Sequence, residues 1–173
     1  MVTVPSPWDS LGKILVLQDD CTNMTGPVET LLGSEMNDSE IATLLTEQGV
    51  GVLSLRADGV PYGVPLSFGY DGADRLYFLF VGHSEQLKKE TYAETSEVAS
   101  FVTFDIDPDG SWRSVMVTGS LERITPEQWE TAREALTDNA FESELFAGDT
   151  IESHPNVWAL EIDEQSGRAV GQR

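Results

Sequence analysis

Hydrophobic and polar residues follow a helical period in three parts of the chain. The first part opens with Asn37 and Glu40, whose three-residue spacing is that of a capping box. Its apolar residues then recur at the i, i+3, i+4 spacing of a buried helix face: Ile41, Leu44 and Leu45. The pattern predicts a helix over about 38–48, a polar helix over 85–94 and a third helix starting at Thr125-Pro126, with Gln128 at the capping-box position.

Six further segments have the alternation or the short apolar runs of strands: 50–55, 60–70, 75–81, 97–105, 112–124 and 157–162. Turn signals such as Asp58-Gly59 join most of them as hairpins. Pro61 and Pro65 cannot donate ladder hydrogen bonds, so they predict an edge strand or a bend, and Gly119 predicts a bulge. The segment 75–81 is apolar on both faces, which predicts that both faces are covered. We expect a mainly β (α+β) fold, an antiparallel barrel with helices at its ends.

The first 35 residues differ from this regular body, which we place at 36–173. They contain Pro5, Pro7, Gly26 and Pro27 with little periodicity, so we expect an irregular N-terminal extension. A start codon assigned too early, with Met24 as the native start, explains residues 1–23, and so does a natural extension.

Charge narrows the classes of partner. The chain has 30 Asp and Glu against 10 Lys and Arg, which gives a net charge of −20. This field disfavours nucleic acid and anionic membranes. The acids are scattered and there are only three lysines, Lys13, Lys88 and Lys89. This composition is typical of proteins from a salt-loaded, haloarchaeal cytoplasm, with an acidic mesophilic protein as the alternative.

Most chemical motifs are missing from the sequence. A single cysteine, Cys21, excludes an internal disulfide and a cysteine-built zinc site, and the two histidines, His83 and His154, lack metal-ligand spacing. We therefore expect no metal site. No motif in the sequence identifies a catalytic residue. The sequence also contains no apolar run of about 20 residues that would span a membrane.

The adjacent lysines of the body are the clearest candidate for binding chemistry. Lys88 and Lys89 follow Gly82-His83-Ser84, where a helix start would offer free N–H groups to an anion. These residues predict a phosphate site made by N–H groups, the Ser84 hydroxyl and lysine. The alternative is that Lys88 pairs with Glu85 or Glu94 on a solvated helix face.

Taken in order, several motifs resemble the pyridoxamine 5′-phosphate oxidase-like, FMN-binding split-barrel family, nearest to its nitroimidazole-resistance-type branch. The resemblance covers about 37–165. It is carried by the segments GVPYGVPLSFGY (59–70), RLYFLFV (75–81), the helix with Lys88-Lys89, and WRSVMVTG (112–119). It implies a six-stranded antiparallel split barrel with flanking helices that forms a homodimer, with FMN at the dimer interface and a partner subunit over the outer side of 75–81.

The resemblance also implies which residues bind the cofactor. The segment Val64-Pro65-Leu66-Ser67 would run along the isoalloxazine ring, and the residues from Phe80 and Val81 to His83 would lie at the flavin edge and ribityl chain. Lys88 and Lys89 would hold the phosphate. On the later strand, Ser114 would reach the cofactor with Arg113 beside it.

The sequence departs from the family at three places. Gln86-Leu87-Lys88-Lys89 stands where the family has a glycine-basic-lysine run, so the implied phosphate site is incomplete. Leu79, Phe80 and Val81 replace the small polar residues that usually follow Tyr-Phe, and the tail 169–173 lacks the arginine and proline with which pyridoxamine phosphate oxidases hold their substrate. Vitamin B6 synthesis is therefore not expected. We expect an FMN-dependent oxidoreductase, flavin reductase- or nitroreductase-like, that exchanges electrons with small molecules in the cytoplasm. The alternatives are a non-catalytic module binding flavin or haem, and a cofactor-free dimeric barrel; deazaflavin is a further candidate cofactor.

Overall fold

The computed structural model of the chain describes residues 33–81, 88–139 and 156–171. The predictions for the N-terminal extension up to residue 32, for the start of the second helix and for His154 lie outside these residues. The described strands are β1 (Ser34–Glu35), β2 (Val50–Ala57), β3 (Val60–Ser67), β4 (Gly69–Tyr70), β5 (Arg75–Leu79), β6 (Ala99–Ile106), β7 (Trp112–Arg123) and β8 (Val157–Val170). The described helices are α1 (Asp38–Glu47), α2 (Lys88–Thr95) and α3 (Trp129–Asn139), with a 3₁₀ turn at Pro126–Gln128 before α3.

The strands form one antiparallel sheet in the order β3-β2-β6-β7-β8-β5-β4, and β1 pairs with the far end of β8. The outermost strands, β3 and β4, are separated in sequence by Phe68 alone. One residue therefore joins the two ends of the sheet, and this connection curls the sheet into a split barrel. The predicted antiparallel split barrel is confirmed. Its long strands are the six that the pattern predicted, since β1 and β4 have only two residues each.

Two turn and edge predictions are confirmed in the β2–β3 hairpin. Asp58 and Gly59 both have positive φ angles, 50° and 80°, as the tight turn requires. β3 lies at the edge of the sheet order, where Pro61 and Pro65 cost no ladder hydrogen bond. The strand stops at Ser67, because the chain bends at the buried Phe68 before it continues as β4.

The bulge predicted at Gly119 is present, but the last strand is longer than predicted. The register of β7 with β8 shifts between Thr118 and Gly119, and a Cβ at Gly119 would lie 1.7 Å from the Glu161 carbonyl oxygen. We expected the last strand to end at Ile162, and this was wrong. β8 continues to Val170 because β7 pairs with it along its whole length.

The core fills the barrel, and α1 packs against it. α1 begins with the predicted capping box: the Asn37 N–H donates to Glu40 Oε2 at 2.7 Å, and the Glu40 N–H donates to Asn37 Oδ1 at 3.1 Å. The buried face of α1 packs against inward-facing residues of the strands, among them Leu53, Phe68, Phe78, Phe101 and Val117.

The expectation that a partner subunit covers the outer side of β5 was wrong. Leu76 and Phe78 face the barrel interior, while Tyr77 faces the opposite side and packs on α3. The covering residues are small or aliphatic: Ala132, Ala135 and Leu136. A helix of the same chain therefore explains why β5 is apolar on both faces.

Smaller boundary differences remain. β5 ends at Leu79 rather than Val81, α2 ends at Thr95 rather than Glu94, and Ser34–Glu35 form a strand inside the segment expected to be irregular. Among the described residues, no helix is both long and apolar enough to cross a membrane.

Candidate functional site

Two adjacent lysines of α2 contact other parts of the barrel: the segment just after β5, and strand β3. Lys89 Nζ donates a hydrogen bond to the Val81 carbonyl oxygen at 2.7 Å and lies 5.5 Å from the centroid of the Phe80 ring. Lys88 Nζ lies 4.7 Å from the centroid of Tyr62 on β3 and 5.6 Å from that of Tyr92 on α2. We call the set Tyr62, Phe80, Val81, Lys88, Lys89 and Tyr92 the lysine corner.

The two lysines of the corner differ from the described arginines in their ion pairing. Five described arginines form ion pairs with carboxylates: Arg75, Arg113, Arg123, Arg133 and Arg168. Within the part of the chain that the structure describes, neither Lys88 nor Lys89 has such a partner. The neighbouring Glu90 lies 3.8 Å from Arg123 instead. Of the two alternatives for Lys88, pairing with Glu94 is thus not seen, and Glu85 lies outside the described residues.

Burial lowers the pKa of Lys89 from its ordinary value of 10.5. A lowered pKa means that the surroundings disfavour the charged form. An anion bound beside this ammonium would act in the opposite direction and favour the charge.

The residues of β3 divide between the two faces of the sheet. Val64 and Leu66 pack against the core, whereas Pro65 and Ser67 alternate with them and face outward. The Phe68 N–H donates to the Gly49 carbonyl at 3.2 Å, so Phe68 and Gly49 form a hydrogen-bonded pair. Hydrogen-bonded and non-hydrogen-bonded pairs alternate along an antiparallel ladder, and Pro65 is three residues from Phe68. Pro65 and its partner Val52 are therefore a non-hydrogen-bonded pair. The carbonyl of Pro65 and both backbone groups of Gly63 point away from β2, toward the edge of β3 that pairs with no strand of the described residues.

Arg113 and Ser114 lie away from the lysine corner. They are on β7, three strand spacings or about 14 Å from β3. Arg113 donates to Asp105 Oδ2 at 2.8 Å and to Glu47 Oε2 at 3.1 Å, and these carboxylates raise its pKa. Consecutive residues of a strand face opposite sides, so Ser114 lies on the outer face and Arg113 does not. One chain alone does not bring this pair to the lysines.

Of the predicted cofactor residues, the structure groups Phe80, Val81, Lys88 and Lys89, with β3 beside them. His83 and Ser84 fall outside the described residues. Three aromatic residues of this region were not predicted: Tyr62, Tyr92 and Trp158, which stacks on Phe80 with 5.7 Å between ring centroids. Tyr62 lies within the quoted GVPYGVP motif, but no sequence signal places it beside Lys88.

A surface pocket of about 480 Å³ lies at the opposite end of α2 and holds no comparable arrangement. Asp58 and Glu97 line it together with the Arg56 guanidinium. The Ser96 hydroxyl in its wall already bonds the carbonyls of Arg56 and Tyr92. No group of three or more metal-ligating side chains occurs among the described residues.

The family model described as pyridoxamine 5′-phosphate oxidase matches residues 37–169. The chain belongs to this family. The match spans β2 to β8, and so includes the lysine corner and the free edge of β3. No curated protein matches the chain.

Solved structures of other split-barrel proteins share the fold of this family member. An FAD-binding protein from Mesorhizobium loti has a TM-score of 0.64 and 23% identity, covering 81% of this chain and 99% of its own. The flavocytochrome Anf3 from Azotobacter vinelandii has a TM-score of 0.61 and 19% identity, covering 83% and 71%. A candidate 5-nitroimidazole antibiotic resistance protein from Bacteroides thetaiotaomicron has a TM-score of 0.55 and 17% identity, covering 79% and 86%. At these identities the likeness concerns the fold.

Proposed function

We propose that the chain binds FMN between the lysine corner and the free edge of β3, and acts as a flavin-dependent oxidoreductase of the flavin reductase or nitroreductase kind on small molecules. The observation that carries this proposal is a pair of lysines beside an edge strand, with no carboxylate partner among the described residues, within a family match that spans the barrel. The solved neighbours described as FAD-binding or as a flavocytochrome support a flavin.

The residues present fit the chemistry of this cofactor. Ammonium groups suit a phosphate, and the backbone groups of Gly63 and the carbonyl of Pro65, which pair with no strand of the described residues, suit the ring's polar edge. Phe80, buried and stacked on Trp158, gives the corner an apolar base. Bound FMN would supply the hydride and electron chemistry, while the chain binds, orients and shields it.

We also propose that the chain is a homodimer and that the second copy covers the outer face of β2, β6 and β7. Large apolar side chains there are exposed: Val50 43%, Phe104 55%, Ile106 68% and Met116 51%. No acid occupies the outward positions of the three strands between 50 and 54, 100 and 106, and 112 and 118: Val50, Val52, Ser54, Ser100, Val102, Phe104, Ile106, Trp112, Ser114, Met116 and Thr118.

An acid-free face fits a second copy of the same chain. Acids make up 30 of the 173 residues, so most surfaces of two copies repel each other. A twofold dimer places one patch against itself, which requires a patch without like charges. The outward positions of β2, β6 and β7 given above meet this condition, and Ser114 is one of them.

The test is to identify what the purified protein binds. We expect a yellow protein, or an apoprotein that takes up FMN with fluorescence quenching, and FMN as the mass of the released cofactor. Reduction of the bound flavin by NADH or NADPH under anaerobic conditions supports an oxidoreductase, whereas binding without reduction supports a storage or sensing module. A haem or deazaflavin spectrum, or a colourless protein that takes up no flavin, contradicts the proposal.

A further inference from the structure

The surface pocket at the far end of α2 contains an arginine without an ion pair among the described residues. Arg56 lines this pocket of about 480 Å³ together with Asp58, Glu97 and Val98. The other five described arginines each have a carboxylate oxygen at 3.8 Å or less, whereas no described carboxylate pairs with Arg56 in this way. In a chain of net charge −20, such an arginine is an exception that needs an explanation.

Negative charge lines the same pocket without pairing with the guanidinium. Asp58 belongs to the β2–β3 turn and Glu97 follows α2, and neither forms an ion pair with another described residue. The last turn of α2 contains no basic residue, so the negative end of the helix dipole adds to these charges. The pocket therefore presents both signs of charge with a space between them.

Hydrogen bonds fix the backbone that carries these charges. The Ser96 hydroxyl accepts from the Arg56 N–H at 2.9 Å, and its oxygen lies 3.0 Å from the Arg56 carbonyl and 2.8 Å from that of Tyr92. The strand with Arg56 is thus tied to the end of α2. Asp58 and Gly59 have the positive φ angles of a tight turn, 50° and 80°. Charged groups on a fixed backbone lose less freedom on binding than groups on a mobile loop.

The charges of the pocket select the class of ligand. A simple anion would be repelled by two carboxylates, and a simple cation would be repelled by the guanidinium. A ligand with one carboxylate and one ammonium group matches both signs, and it adds no net charge to an already acidic chain. Val98, which is 62% exposed, adds an apolar surface beside these charges. The volume lies in the range of small-molecule pockets, about 300–1,000 Å³.

We propose that this pocket binds an α-amino acid with an apolar side chain. Arg56 takes the carboxylate, for which a guanidinium offers two parallel N–H groups. Asp58 and Glu97 take the ammonium group, and Val98 contacts the apolar side chain. The site is separate from the lysine corner, so the inference does not rest on the proposed flavin function.

The experiment titrates isotope-labelled full-length protein in molar KCl and follows its backbone amides by two-dimensional NMR. The probes are L-leucine, isocaproate, which lacks the ammonium group, and isoamylamine, which lacks the carboxylate. L-Leucine should cause saturable shifts at Gly59, Glu97 and Val98 and leave the amides of α3 unchanged. Isocaproate and isoamylamine should bind at least about tenfold more weakly, because each lacks one charge-assisted contact.

Matched variants test the role of each charge. Arg56→Gln should weaken L-leucine binding at least about tenfold, whereas Arg133→Gln, the same change of charge on α3, should bind as wild type does. The double variant Asp58→Asn, Glu97→Gln should bind L-leucine more weakly but isocaproate more strongly than wild type, because the guanidinium then has no competing carboxylates. These replaced side chains are exposed, and asparagine tolerates the positive φ at residue 58, so the variants should fold.

Three results overturn the inference. They are the absence of saturable shifts at the pocket with L-leucine, equal affinity for L-leucine and either of its single-charge analogues, and equal binding by the Arg56→Gln and Arg133→Gln variants. Each of them would show that Arg56 is an ordinary solvated arginine. The proposed function is unaffected by these results, because it is tested by the cofactor that the protein binds.

Discussion

The proposed dimer contact on the outer face of β2, β6 and β7 can be tested at a single residue. Met116 lies in the middle of this face, opposite Val102 on β6 and Ser166 on β8. Its side chain is 51% exposed in the single chain. If a second copy covers the face, Met116→Glu places two carboxylates inside a twofold contact, and the dimer should weaken strongly.

The magnitude follows from the exposed fraction. Full burial of a methionine side chain stabilises by roughly 1.5–3 kcal/mol, so covering the exposed half contributes about 1 kcal/mol per copy. Like charges brought together in an interface cost several kcal/mol more. The dimer dissociation constant should therefore rise by at least about a hundredfold. Met116→Gln, similar in size but uncharged, should show only the smaller apolar loss.

Sedimentation velocity in molar KCl measures this directly, with one copy having a mass of 19.0 kDa. We expect wild type and Met116→Gln to be dimers at micromolar concentration and Met116→Glu to be a monomer. A monomeric wild type, or a Met116→Glu variant that remains fully dimeric, refutes the reasoning. If only a chain lacking residues 1–32 self-associates, those residues cover the face in the full chain and the second-copy proposal is wrong.

Three further predictions concern stability. Asn139→Ala removes three hydrogen bonds: two to carbonyls at the end of α1 and one from the Tyr70 N–H. This variant should lower the free energy of unfolding, measured by urea titration, by about 3 kcal/mol, and a loss below about 1 kcal/mol would contradict this. Burial, followed by the charge of Asp71, raises the pKa of Tyr77 above its ordinary value of 10.0. The contribution of Tyr77 to stability is therefore complete below pH 10.0 and is lost as the pH rises through the pKa of the folded state. Tyr77→Phe should unfold at a higher pH than wild type in circular dichroism, and identical alkaline midpoints would argue against this. Folding should also need salt, because repulsion within a chain of net charge −20 grows as the screening length increases from about 3 Å at 1 M salt to about 30 Å at 0.01 M. A circular dichroism spectrum that is unchanged on dialysis from molar KCl into dilute buffer would disprove this.

Local physics accounts for the parts of this fold that the sequence predicted. The capping box of Asn37 and Glu40 depends on residues three apart, and it starts α1 where expected. Pro61 and Pro65 lack an N–H, which favours an edge strand or a bend, and the structure has them on the edge strand β3. A glycine within a long strand marks a close backbone approach, and Gly119 meets β8 there.

Tertiary contacts decided the rest, because distant residues set the outcome. The polar residues after Ile162 form a strand only because β7 provides the pairing partner, and no alternation in the sequence shows this. The apolar outer side of β5 predicted a partner subunit, yet α3 of the same chain covers it.

The candidate site divides in the same way. The sequence singled out Lys88 and Lys89, since cations are scarce in so acidic a chain. It could not distinguish them, because the ring faces of Tyr62 and Tyr92 and the carbonyl of Val81 approach them only when α2 packs beside β3 and the end of β5. Residue type determined which charges were available, and packing determined that Lys89 bonds the Val81 carbonyl while Lys88 lies beside two tyrosine rings.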